Sequence, residues 1–236
     1  MAPRVLVIDW DPRLESRGDQ RGSSLPGYTD PHALAEGFVA NMRAATGDVV
    51  RYEVAEWIEI DGYPPQMDGS RPTDWQWLAC LADADACGLH GAADYAAIVE
   101  EYDLCARVER GEIDEVWLFG GPWFGFYESR MAGTGAFAVN SPPLTEVACS
   151  RRFVMMGFNY ERGVAEMMHD VGHRLEFTMQ HGFRHYRARH PETPDPFAQF
   201  RVFDAEQPGA QPAGTRTTRP TPRPARSTPT TPPRRS

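Results

Sequence analysis

The sequence predicts an α/β fold, a mostly parallel sheet flanked by helices in a single domain, and three observations carry that prediction. Short apolar runs recur at residues 5–9, 116–119 and 152–158, each of the length that suits a strand buried on both faces. Segments with helical signals separate these runs, which favours parallel pairing through crossovers. Right-handed crossovers would bring residues 9–11, 120–124 and 159–162 to one sheet edge, where open α/β sheets bind ligands.

Taken in order, the first strand ends in Asp9, and the Gly-, Pro-, Asp- and Arg-rich stretch 10–30 reads as a long loop. Asp30 and Pro31 are an N-cap and first-position pair for a helix through about Ala45, which Gly47 ends. Strand character resumes over 49–60. After the loop 61–73, residues 74–110 look helical in pieces, most clearly over the Ala-rich 92–109. The second core strand runs into Gly120, Gly121 and Pro122. The third ends at Phe158, with Asn159 as the expected cap of a helix to about Gln180.

Composition narrows the chemistry. The 236 residues are 41% hydrophobic, with no apolar run of transmembrane length. All 24 basic side chains are Arg, so mechanisms that need an ammonium group, such as a lysine Schiff base or a Walker-type phosphate loop, are excluded. The net charge of −9 hides an asymmetry, because all 33 acids precede residue 208 whereas six Arg follow it. An acidic body of that kind is not expected to bind nucleic acid. Cys80, Cys87, Cys105 and Cys149 show no C-x-x-C spacing; one or two disulfides are open to them, without an assignment. Residues 1–13 lack the basic, apolar and small-residue series of a secretory signal. As written, the chain is expected in the cytoplasm, or outside it if an exporting segment lies upstream.

The domain is expected to occupy residues 1–207. Residues 208–236, rich in Pro, Thr and Arg and without a large apolar side chain, cannot bury enough surface to order themselves. A natural flexible arm and a shifted reading frame in GC-rich coding DNA both produce such a stretch.

The densest chemical signal is "AEMMHDVGHRLE" at residues 165–176. His169 and His173 are four apart, so a helix projects both imidazoles from one face, as adjacent ligands of Zn²⁺ require. Asp170 stands where the H-E-x-x-H motif has its general base, so the segment resembles a zincin helix with Glu replaced by Asp. Asp is one methylene shorter than Glu, and Arg174 places a charge after the second histidine. Glu166 is a second candidate base, and Glu176 or Glu128 is the expected third ligand or a partner behind a ligand, with His181 and His185 as further candidates just downstream. The same segment also reads as an amphipathic surface helix, with Val164, Met168, Val171 and Leu175 inward and Arg162, Glu166, His169, His173, Glu176 and Gln180 outward.

Residues 115–133, "EVWLFGGPWFGFYESRMAG", join a strand to an aromatic loop. Trp123, Phe124 and Tyr127 are candidates for stacking on a peptide or glycan, with Glu128 and Arg130 adding a carboxylate and a fork of donors. Asn159 and Arg162 complete the candidate substrate contacts. Asp9 and Asp11 read as turn formers rather than ligands.

The blocks "VLVIDWDPRLESRG", "EIDEVWLFGGPWFGFYESRMAGTGAF" and "RRFVMMGFNYERGVAEMMHDVGHRLE" together resemble a family of largely uncharacterised bacterial proteins, often exported and often joined to carbohydrate- or wall-associated modules. The likeness spans roughly residues 4–205 and implies location and neighbourhood, not an activity. It sets Glu128, Asn159, Glu161, Arg162, Glu166, His173 and Glu176 inside family-like blocks. The expectation is a zinc-dependent hydrolase of peptide or amide bonds. The alternative is a non-catalytic carbohydrate- or wall-associated module that binds through its aromatic loop.

Overall fold

A computed structural model describes residues 1–189 apart from Ala86 and His90, with side chains as far as residue 183. Met1–His185 form one compact unit; of the second, Tyr186–Ser236, only the last residues of a helix are described. The expected tail at 208–236, the boundary at 207 and the side chain of His185 lie outside the described residues.

The main sheet has five strands: β1 (Arg4–Trp10), β4 (Glu53–Ile60), β5 (Glu115–Gly120), β6 (Ser129–Ala132) and β7 (Phe153–Asn159), in the order β4-β1-β5-β7-β6. β4, β1, β5 and β7 are parallel, and β6 joins β7 antiparallel at the edge. This is the α/β architecture that the apolar runs predict. β1, β5 and β7 are buried almost throughout, which explains why they read as continuous apolar runs rather than alternating ones.

Five α-helices accompany the sheet among the described residues. α1 (Pro31–Ala45) starts as expected, with the Asp30 side chain accepting from the Ala33 amide at 2.9 Å and Pro31 in the first turn. Phe38 of α1 packs edge-on to Trp117 and also touches Phe158. On the other face, Trp10 meets Tyr102 and Phe126.

Several elements differ from the sequence reading. The stretch 10–30 is not a plain loop; it holds a small hairpin, β2 (Arg13–Leu14) with β3 (Gln20–Arg21), and two short 3-10 turns. Residues 74–110 resolve into α2 (Asp74–Ala82), α3 (Tyr95–Glu101) and α4 (Leu104–Glu109). The break between α3 and α4 lies at Asp103, whose left-handed φ of 51° no helix can carry.

α5 (Val164–Arg189) runs well past Gln180. Gly182 costs about 1 kcal/mol relative to Ala, too little to stop a helix. Its inward stripe is also turned from the predicted one. Met167 and Val171 are buried, whereas Leu175 is 54% exposed and Arg174 points inward. The reason is Glu115, buried at the start of β5, which takes Arg174 at 2.7 Å and the Trp117 indole N–H at 3.0 Å. A buried carboxylate needs such partners, and meeting that need sets the rotation of the helix.

Candidate functional site

The strand ends meet as expected: Asp9 lies beside Phe119, Phe119 beside Phe158 and Gly120 beside Asn159. At this carboxyl edge a cleft of about 250 Å³ opens between the loop after β5, the end of β7 and the first turns of α5, lined by Phe126, Glu128, Asn159, Arg162, Glu166 and Asp170. Five predicted site residues from separate chain segments therefore converge.

Local rules place each of them. Asn159 is the last residue of β7, and its Oδ1 accepts from the Glu161 amide at 2.9 Å, tightening the turn into α5 rather than capping the helix as expected. Glu166 reaches back to accept from the Gly163 amide at 3.0 Å, satisfying a donor the helix start would leave free. Glu166 and Asp170 are spaced by four, so α5 stacks them on one face, and Arg162 joins them from the turn before the helix. Gly157 lets the loop approach, since a Cβ there would lie 2.4 Å from the Tyr127 carbonyl oxygen.

The cleft is acidic and shaped for proton exchange. Burial, and next the charge of Glu128, push the Asp170 carboxyl up to about 7, against the opposing pull of Arg162 and His173. Glu128 itself accepts a hydrogen bond from the Asn140 amide group. A carboxyl that exchanges its proton near neutrality, beside a second carboxylate, is the usual equipment of general acid–base chemistry.

His169 and His173 do share a face, with ring centroids 4.3 Å apart and edge to face. Glu176 lies 3.1 Å from His173 Nδ1, the position of a carboxylate that orients an imidazole from behind. Among the described residues, no three His, Cys, Asp or Glu side chains are grouped to hold a metal ion. The two imidazoles are thus adjacent, with Glu176 engaged on one of them and, among the described residues, without the third ligand that the zinc expectation needs.

The aromatic loop divides. Phe124 is 1% exposed and packs on Trp77 and Tyr63, so its ring presents no surface. Trp123 and Tyr127 are exposed. Arg130 lies over the rings of Tyr95 and Tyr127 at 5.1 and 5.6 Å, with its Nε buried and unpartnered.

One group escaped sequence reasoning. Asp11 behaves as a turn former, accepting from the Ser23 amide at 2.8 Å and the Ser23 hydroxyl at 2.7 Å. Asp9 does not: it is 2% exposed, and its Oδ1 has no hydrogen-bond partner. The only signal was an acid ending an apolar strand. A larger cleft of about 840 Å³, between α1 and β4, contains none of the predicted site residues. In comparisons with protein-family models, curated proteins and solved structures, nothing matches this chain.

Proposed function

We propose that the chain is a hydrolase of the peptidase or amidase type, working in the carboxyl-edge cleft with Asp170 as its acid–base group. The observation that carries this reading is the convergence of Glu128, Asn159, Arg162, Glu166 and Asp170 on one cleft. Ionised Asp170 takes a proton from the attacking water and returns it to the leaving nitrogen. Burial, and next repulsion from Glu128, keeps the proton affinity of Asp170 near neutrality. Arg162 and the Asn159 amide group are the donors for a carbonyl oxygen as it gains charge. Phe126 gives the substrate an apolar wall. The burial of Phe124 leaves the aromatic-loop module less support, because that loop offers fewer outward rings than its sequence promised.

The test is release of amine from peptide libraries and peptidoglycan fragments. Asp170→Asn should lower kcat by about 10²-fold or more, as loss of a general acid–base does, and the wild-type rate should change near the Asp170 value of about 7. Undiminished turnover in Asp170→Asn would refute the assignment.

A second reading adds zinc to the same helix, favoured by Glu176 standing behind His173 Nδ1. Zinc would supply Lewis-acid activation of a water. It predicts about one equivalent of zinc in untagged protein, lost when both His169 and His173 become Ala; zinc-free, well-folded wild type would end it. All four cysteines are paired, as Cys80–Cys87 and Cys105–Cys149. For either reading this supports work in an oxidising compartment.

A further inference from the structure

We infer that Trp75 is the stacking platform of a second binding site, separate from the hydrolytic cleft, which takes a neutral oligosaccharide. Trp75 is 78% exposed, although three of the six tryptophans, Trp10, Trp77 and Trp117, are fully buried. An indole left in water is a departure from the usual fate of this side chain. The ring does not hang from a loose loop. It stands in the first turn of α2, which Thr73 and Gln76 close with a reciprocal capping box. Its neighbour Asp74 accepts from the Tyr63 hydroxyl at 2.9 Å and the Glu15 amide at 3.3 Å, so the backbone beneath the indole is tied to two other segments.

The indole also forms a wall common to two clefts, of about 760 and 380 Å³. Glu15, Asp19, Asp61 and Asp74 line the larger one with acceptors, against the single guanidinium of Arg13. Asp61 accepts from the Arg13 amide at 2.7 Å, yet each carboxylate oxygen keeps a second lone pair for another donor. A pyranose matches both halves of this surface: its C–H face lies on the ring, and its hydroxyls donate to the carboxylates. An anionic polymer would be repelled by the same lining. A proline-rich peptide needs a groove of several rings, whereas Tyr63, the other ring of the cleft, is buried with its hydroxyl on Asp74. No residue is shared between these clefts and the one holding Asp170.

The test titrates the full chain with cellohexaose, chitohexaose and a proline-rich peptide, read by tryptophan fluorescence and calorimetry. At least one oligosaccharide should bind with a change in indole emission. Trp75→Ala should weaken binding about tenfold, whereas Trp75→Tyr should restore part of it. Amidase activity in Trp75→Ala stays at the wild-type level on soluble substrates, which separates this site from the hydrolytic one. Failure of both sugars to bind at millimolar concentration, unchanged affinity in Trp75→Ala, or binding of the peptide alone overturns the inference.

Discussion

Asp9, next to last in β1, has a carboxyl with almost no access to water, and burial, then the charges of Asp11 and Glu59, hold its proton up to about 8. The unfolded chain releases that proton near pH 4. Between those values the folded state carries a proton that the unfolded state has lost, so unfolding releases it and stability falls as pH rises. The shift corresponds to roughly 5 kcal/mol at the upper end, as an order of magnitude. Asp9→Asn keeps the shape without the ionisation. Urea unfolding of both proteins from pH 4 to pH 8 should show wild type losing several kcal/mol more than the variant. Parallel stability curves would mean that Asp9 is not held protonated. Asp170 drifts in the same direction but is present in both proteins, so the difference isolates Asp9.

At the scale of elements, what was legible followed from short-range rules. The α1 start was readable because Asp30 and Pro31 each satisfy a helix-end requirement locally. The buried strands were readable because a strand covered on both faces must be apolar along its whole length. The convergence of Glu166 and Asp170 followed from helix period alone, whereas Arg162 reaches the same cleft from the turn before the helix. β6 was not readable: it has four residues, and its pairing with β7 is a long-range contact that no local pattern announces. The rotation of α5 was hidden for a related reason. Leu175 looked inward by hydrophobicity, but the site facing that turn is Glu115, which demanded Arg174. Trp75 and Trp77 both fall in the helical stretch 74–110, and only the packing shows which of the two the core uses.

For the whole compact unit, the two disulfides bind different spans and should contribute unequally. Cys105–Cys149 ties α4 to the connection that precedes β7, across 44 residues of sequence. Cys80–Cys87 closes only 7, between α2 and the loop after it. In the chain-entropy description, a crosslink stabilises by restricting the unfolded chain, and the restriction grows with the logarithm of the closed span. That gives about 4 kcal/mol for the long bridge and about 2 kcal/mol for the short one. The long bridge also joins segments on either side of β5, so its loss loosens the unfolded chain around the central strands rather than at one corner. Replacing each pair by Ser and measuring guanidinium unfolding should therefore lower stability in both variants, with Cys105→Ser/Cys149→Ser the less stable by about 2 kcal/mol. The opposite order would show that the short bridge acts through native packing around Trp77 rather than through the unfolded chain.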